Sequence, residues 1–271
     1  MKRSSAITNL ELLAASQWGM FTTAQAQQLG VQRNQISRMV DALRIEPTCY
    51  GVYRFIAGDE PSFSDLKAAW LSVFPKKTAT VRFSEKPYDA VAAGRTAAYA
   101  LNAGNFQPSP YTFITKQRKQ TSRDDMRFLH CKLDEEDIVL DAGIPTTSFE
   151  RTVYDLLRLD EDPDNVDKFI QDAARKKGHV FNQERLAQLL APLALRYGFH
   201  AGDGTTFAAN LIARNAAPVQ ISRALESLRH TLGSLADQAD TAQTTLADFT
   251  AFTELRETLQ HIAERATERN D

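Results

Sequence analysis

The sequence predicts an α+β protein of 271 residues, with a front domain over residues 1–85 and a mixed α/β, largely helical domain over residues 86–271. Two patterns lead to this prediction. Residues 9–57 pass from the hydrophobic spacing of helices to the alternation of a strand. Residues 111–157 carry strand signals followed by a helix, and helix signals then dominate the rest of the chain.

Three short helices are predicted in the front domain. The first has an apolar face formed by Leu10, Leu13, Ala14 and Trp18. Thr22 or Thr23 can cap the second helix, which ends at Gly30. The third helix directs four apolar side chains inward: Ile36, Met39, Val40 and Leu43. We therefore expect the three helices to share one small core.

The third helix also has a polar face, and a strand follows it. The polar side chains are Gln32, Arg33, Asn34, Gln35, Ser37 and Arg38. Side chains of these types bind base edges and phosphates in the DNA major groove. Residues 50–55 then alternate like a strand of a hairpin. This order is typical of a winged helix-turn-helix, in which Thr23 and Arg54 also face DNA. The alternative is a three-helix core with a solvated polar face.

The middle of the chain reads as mixed α and β structure. We expect a helix over residues 65–74, a strand over 78–83 and an alanine-rich helix over 88–102. Strands over 111–115 and 127–133 are predicted to form a β-hairpin with a basic tip. The tip cations are Lys116, Arg118, Lys119 and Arg123. They are candidates for a secondary nucleic-acid contact; a solvated turn, or contact with RNA or a protein, remains open.

Residues 143–157 form a compact turn-and-helix motif. Gly143 permits a tight turn, and Thr147 with Glu150 predicts a capping box. Arg151 and Asp155 stand at i and i+4, so they can pair along the helix. The helix buries Phe149, Val153, Leu156 and Leu157. We interpret the ion pair as structural, because no histidine or nucleophile accompanies it; the alternative is a catalytic or partner-contacting pair.

The rear of the chain is predicted to be helical. Asp162 and Pro163 begin one helix, and Asn182 caps another. A helical tail is expected over about 218–268, with apolar residues from Ile221 to Phe249 at heptad spacing. Packing against its own domain and a coiled-coil dimer both remain open. The stripe of apolar residues at this heptad spacing is narrow, which favours weak self-association of the chain, or association only on DNA.

Charge and composition limit the classes of function. Residues 1–60, 61–130 and 131–271 carry formal charges of +1, +6 and −9. A basic front half and an acidic rear half fit two different partners. Two cysteines without CxxC spacing, and histidines without metal-ligand spacing, predict no metal, no cofactor and no catalytic residues. No signal peptide or membrane span is evident, so a cytoplasmic protein is expected.

Several segments resemble the AbiEi antitoxin family of bacterial type IV toxin–antitoxin systems. The resemblance covers about residues 9–175, through 51–54 with 66–71, 94–99 and, most specifically, 143–157. It implies a repressor that binds double-stranded DNA with repeated half-sites in its own promoter. It also implies that the protein counters a nucleotidyltransferase-like toxin in phage defence. Residues 44–49 lack the basic run that the family has before the wing. Two alternatives are a stand-alone winged-helix transcription factor and a DNA nuclease.

Overall fold

The computed structural model describes residues 2–56 and 61–216, and the chain up to Ala216 forms one compact unit. The helices are α1 (Lys2–Ala15), α2 (Thr23–Gln28), α3 (Arg33–Asp41), α4 (Ser64–Val73), α5 (Ala79–Ser84), α6 (Arg95–Ala100), α7 (Phe149–Arg158), α8 (Pro163–Lys176) and α9 (Gln183–Leu190). The strands are β1 (Met20–Thr22), β2 (Ile45–Cys49), β3 (Val52–Phe55), β4 (Ala90–Ala92), β5 (Tyr111–Thr115), β6 (Met126–Leu129), β7 (Ile138–Asp141) and β8 (Ile144–Thr147). Short 3₁₀ turns precede β7 and follow α9, and residues 204–216 are helical.

The front segment packs α1, α2 and α3 against a three-stranded antiparallel sheet of order β1-β3-β2. Thr22 caps α2 as predicted: its side chain accepts a hydrogen bond from Gln25 N, and the Gln25 side chain accepts one from Thr22 N. The small core is formed by Leu10, Ala14, Phe21, Ala26, Val31, Ile36, Met39 and Ile45. Ile36 and Met39 of α3 thus point into the core as expected, whereas Leu43, at the end of the predicted helix, does not belong to it.

Two front residues lie where the sequence pattern did not place them. Trp18 follows α1 in a turn with a φ of 61°, and its ring packs edge-on against Trp70 and Phe83. Leu43 follows the end of α3 with a φ of 52° and is 79% exposed. Helices α1 and α3 therefore end earlier than predicted. In both, the apolar residues continue at helical spacing after the backbone has left the helical conformation.

The strands after the front segment form a five-stranded mixed sheet of order β6-β5-β4-β8-β7. Its central strand, β4, runs antiparallel to β5 and parallel to β8. β5 and β6 are parallel, with Tyr111 opposite Met126, so the predicted β-hairpin is wrong. The segment 116–125 instead carries the chain back along the sheet edge to begin β6.

Two further errors fall between α4 and β5. Residues 78–83, predicted as a strand, contain α5, because Thr78 caps the helix and the buried Arg82 pairs with Asp89. Residues 88–102, predicted as one helix, form β4 and then α6. Since β4 is buried between two strands, its small side chains suit the crowded sheet centre despite the helix propensity of alanine.

α4 joins the front segment to the larger sheet. It is buried on almost all sides, and the Trp70 indole N–H donates to Ala90 O at 3.0 Å. One continuous core includes Met20 and Val52 of the front sheet together with Phe113 and Ile144 of the larger sheet. The predicted domain boundary near residue 85 stays a prediction, but the two sides of it share this core.

Helix α7 packs against α6, α8 and α9. Asp162 and Asn182 cap α8 and α9 as predicted. The predicted Thr147–Glu150 capping box is wrong by one residue, because Ser148 is the N-cap of α7 and accepts from Arg151 N. The predicted tail over about 218–268 lies outside the described residues.

Candidate nucleic-acid interface

The exposed face of α3 is the first element of the interface. Ile36 and Met39 are 3% and 4% exposed, so they anchor the helix in the front core. The opposite side is solvent-exposed at Gln32, Arg33, Asn34, Ser37 and Arg38. Among the described residues, neither Arg33 nor Arg38 has a salt-bridge partner. Their donors are therefore available to an external acceptor.

Gln35 has a different role from its neighbours on the polar face. Its side-chain oxygen accepts a hydrogen bond from Gln32 N at 2.9 Å, which satisfies a backbone donor at the start of α3. The side chain is half-buried. Gln35 therefore fixes the first turn of the helix that presents Arg33 and Asn34.

The β2–β3 hairpin is tied to the start of α2. Thr23 donates to Gly51 O from its backbone N–H at 2.9 Å and from its hydroxyl at 3.3 Å. Gly51 has a φ of 73° in the hairpin turn, a conformation that glycine adopts without strain. Next to it, Tyr50 is 82% exposed. The predicted contact residue Thr23 thus holds the hairpin turn beside the helices.

A groove of about 750 Å³ runs between these elements. Its polar walls come from Thr23, Gln27, Arg33, Ser37, Tyr50, Tyr53, Ser72 and Arg123. Ser72 belongs to α4, and Arg123 to the connection between β5 and β6. Helix α3, the hairpin and a loop distant in sequence therefore meet at one concave surface.

Arg123 is already engaged within the protein. Its guanidinium forms two hydrogen bonds with Asp125, at 2.9 and 2.6 Å, and donates to the Ser72 hydroxyl at 3.1 Å. The hydrogen bond with Asp125 raises the pKa of Arg123. The guanidinium also lies 5.5 Å from the centre of the Tyr50 ring. Arg123 therefore braces the hairpin turn from outside the front segment.

Arg54 lies apart from this exposed surface. Its side chain is 10% exposed and pairs with Glu46 directly across the hairpin. A buried, paired guanidinium is not free to contact DNA, so we leave the predicted residue Arg54 out of the interface. The pair instead links the two strands of the hairpin.

The remaining predicted cations lie on the connection between β5 and β6. Lys116 and Arg118 are exposed, whereas Lys119 is half-buried. The Lys119 ammonium group lies 5.0 Å from the ring centre of Phe74, just beyond α4. Lys116 lines a groove together with Phe74, and Arg123 lines the groove beside α3.

Within the described ranges, no group of three or more His, Cys, Asp or Glu side chains is arranged to hold a metal ion. Helices of the same ranges are all too short or too polar to span a membrane.

Residues 10–56 match the family model described as "Transcriptional regulator, AbiEi antitoxin". The resemblance to the AbiEi family is thereby confirmed for this segment. The match extends from within α1 to the end of β3, so it includes the whole polar face of α3. No curated protein matches the sequence. The description of the family is that of a transcriptional regulator.

Sequence reasoning missed several residues of the groove, among them Gln27, Tyr50 and Ser72. Tyr50 precedes the glycine of the hairpin turn, and an aromatic residue at that position could have indicated an exposed tip. Ser72 gave no such signal, because its contribution depends on the packing of α4 beside the hairpin. Contacts of this kind, between residues distant in sequence, cannot be predicted from local sequence patterns.

Proposed function

We propose that this chain is the antitoxin of an AbiE-like type IV toxin–antitoxin system, and that it represses its own promoter. One observation carries the DNA-binding part: α3 presents Arg33, Asn34, Ser37 and Arg38 to solvent, with both cations unpaired among the described residues. The helix is anchored on its other side by a buried core. A segment that matches a family of transcriptional regulators thus carries a helix with the chemistry of base and phosphate contacts.

The order of elements supports a winged helix-turn-helix. In this geometry α2 crosses the DNA backbone, α3 enters the major groove, and the β2–β3 hairpin acts as the wing. Residues near the start of α3 read base edges, and Arg38 and the exposed Tyr50 contact the flanking backbone. Repeated half-sites would place two chains on adjacent turns of the duplex, so a tight dimer in solution is not required.

A nucleotidyltransferase-like toxin is the proposed second partner. The family description supports an antitoxin role. Residues 131–271 carry a formal charge of −9, which suits a basic surface on a partner protein. A stand-alone transcription factor is the second candidate, because DNA contact through α3 needs no toxin. A nucleotidyltransferase gene beside this one favours the antitoxin.

The DNA-binding proposal is tested with the variant Arg33→Ala/Arg38→Ala. We expect it to bind the DNA upstream of its own gene at least 10-fold more weakly, because each good contact contributes about 1–3 kcal/mol. Fluorescence anisotropy measures the affinity, and thermal unfolding checks the fold. The control Lys132→Ala/Lys177→Ala removes two exposed cations outside the groove and should bind normally. Normal binding by the α3 variant would refute the assignment.

The antitoxin proposal is tested separately in cells that express the neighbouring nucleotidyltransferase. The full chain should restore growth, and so should Arg33→Ala/Arg38→Ala when both are expressed from a foreign promoter. Rescue by both chains would show that neutralisation does not need α3. Failure of the folded, DNA-binding full chain to rescue growth would favour the stand-alone transcription factor.

A further inference from the structure

Strand β7 forms one edge of the larger sheet, and in the described part of the chain β8 is its only strand partner. Leu140 lies opposite Pro145, and Ser148 N donates to Asp137 O at 2.8 Å. Because hydrogen-bonded pairs alternate along an antiparallel ladder, Val139 bonds to β8 next, and Leu140 directs its N–H and C=O away from β8. Pro145 has no N–H, which agrees with this alternation. The open side of β7 therefore presents a backbone donor and acceptor to an added strand.

The two edges of the larger sheet face solvent with different side chains. In β6, the exposed side chain is that of Arg127. In β7, it is that of Leu140, which is 62% exposed. A charge on an edge strand opposes pairing with another chain, whereas an exposed apolar side chain leaves the edge open to it. Of these two edges, β7 is therefore the one suited to strand addition.

A groove of about 360 Å³ opens beside this edge. Its charged members are Lys86 and Glu135, and its other walls are formed mainly by Pro87, Tyr88, Leu133, Ile138 and Leu140. Ile138 and Leu140 stand two residues apart in β7, so their side chains share one face of the strand. An apolar side chain on the same face of an added strand can therefore pack against Leu140 and this groove.

The chain around β7 is acidic, with five carboxylates and no cation over residues 134–141. Arg185 pairs with three of these carboxylates. In the described ranges, the other two, Glu135 and Asp141, have no cation within salt-bridge distance. They lie on either side of the exposed part of β7. An extended segment with cations near both ends therefore complements this edge in charge as well as in backbone hydrogen bonds.

We propose that β7 is the docking edge for an extended, basic segment of the nucleotidyltransferase-like toxin, which adds a sixth strand to the larger sheet. This inference rests on the proposed function and names the surface that the second partner contacts. Two other occupants match the charge less well. A second copy of the chain would bring the same acidic segment against itself, and like charges destabilise strand pairs. Residues 217–271 are also acidic, with 5 Lys and Arg against 9 Asp and Glu.

The first test measures binding of the full chain to the purified nucleotidyltransferase encoded beside it, by isothermal titration calorimetry. Leu140→Pro removes the outward N–H but no hydrogen bond to β8, and Leu140→Ala removes only the side chain. We expect Leu140→Pro to bind about 10-fold more weakly, because the partner's carbonyl is left without a donor, and Leu140→Ala to lose less. Thermal unfolding checks that both variants fold. Equal affinities of the wild type and a folded Leu140→Pro variant would overturn the proposal.

A charge variant keeps the proposal testable even where proline is not tolerated. Glu135→Lys/Asp141→Asn removes both unpaired carboxylates, while position 141 keeps an oxygen for the Ala142 N–H. Its binding should weaken by about 5-fold at low salt and by less at high salt. The matched control, Asp41→Lys/Asp124→Asn, changes two exposed carboxylates of the front half of the chain and should bind normally. Equal losses in the two variants would contradict the docking edge.

Hydrogen exchange distinguishes the possible occupants. The Leu140 amide should exchange quickly in the free full chain and slowly once the toxin is bound. Slow exchange in the free chain at low concentration would mean that residues 217–271 already cover β7. Slow exchange only at high concentration, together with a dimer that Leu140→Pro converts to a monomer, would identify a second copy. Either result would overturn the proposal.

Growth of cells that express the toxin separates failure of the docking edge from failure of the proposed function. If the wild type and all β7 variants bind the toxin and restore growth equally, the antitoxin role stands and the docking edge is refuted. If the wild type binds the toxin through β7 but does not restore growth, the docking edge stands and the antitoxin role fails. A wild type that restores growth without binding the toxin would likewise refute the docking edge alone.

Discussion

Helices α3 and α7 carry similar cations but use them in opposite ways. In α3, Arg33 and Arg38 are exposed and have no salt-bridge partner among the described residues. In α7, Arg151 is 4% exposed and lies 3.2 Å from Asp155 and 3.8 Å from Asp137. Burial raises the pKa of the Asp155 carboxyl to about 6 even with Arg151 beside it. The cations of α3 are thus left exposed, whereas the Arg151 cation of α7 is paired inside the fold.

This contrast bears on the motif that resembles the family most specifically. Residues 143–157 gave the strongest sequence resemblance, yet Arg151, Thr152 and Asp155 are all buried. The Arg151 guanidinium also donates to Cys131 Sγ at 3.3 Å and to Lys132 O at 3.4 Å. These contacts hold the segment after β6 against α7. The structural interpretation of the Arg151–Asp155 pair agrees with this environment.

The largest expected effect is on folding stability at Arg151. Arg151→Met should destabilise the protein by about 3–5 kcal/mol, because Asp155 and Asp137 lose a buried cationic partner. The same substitution in α3, Arg38→Met, should change stability by less than about 0.5 kcal/mol. Chemical denaturation followed by circular dichroism measures both. Equal losses in the two variants would remove the distinction between the helices.

A smaller effect is expected from the pH dependence of Glu150 in α7. Its carboxylate accepts from His179 Nε2 and Asn182 N, each at 2.9 Å. Burial alone would raise the pKa of Glu150, but these hydrogen bonds outweigh it and leave the pKa below 4.5. The stabilisation is therefore complete above pH 4.5 and is lost as the pH falls through the lowered pKa.

The measurement compares the wild type with Glu150→Gln, which keeps an oxygen acceptor but cannot ionise. Unfolding free energies of both chains are determined by urea titration from neutral pH downward. The wild type should lose more unfolding free energy than the variant in the acidic range. Superimposable pH profiles would show that the Glu150 charge does not contribute.

The smallest effects concern the helix caps. Ser148→Ala should cost about 1 kcal/mol, because the side chain accepts from Arg151 N at the start of α7. Gln35→Ala should cost only a few tenths of a kcal/mol, because the Gln32 N–H at the start of α3 is exposed to water. Thermal unfolding ranks the two variants. A larger loss at Gln35 would mean that α3 depends on its cap more than α7 does.

Local pattern predicted the front segment well because its determinants are local. Thr22 caps α2, Ile36 and Met39 point inward, and the polar face of α3 is exposed, all as expected from spacing. The helix caps at Asp162 and Asn182 were likewise predicted from the sequence and are confirmed. Each of these features depends on residues within about one helical turn of one another.

The failures have long-range causes. Residues 90–92 form a strand only because β5 and β8 lie on either side of them. β6 pairs with β5 in parallel, which no turn signal between them indicates. The low exposure of Arg54 beside Glu46 likewise depends on the pairing of two strands and is not indicated by the local pattern.

The shared core around α4 has a consequence for genetics. Met20 and Val52 pack in the same cluster as Trp70 and Phe113, so the front segment cannot be cut away without exposing that cluster to water. Truncations and deletions at this junction should remove every activity of the chain at once. Alleles that separate repression from toxin neutralisation will accordingly be found at solvent-facing codons, such as those for Arg33 and Arg38, and not among truncations or deletions that cut through α4.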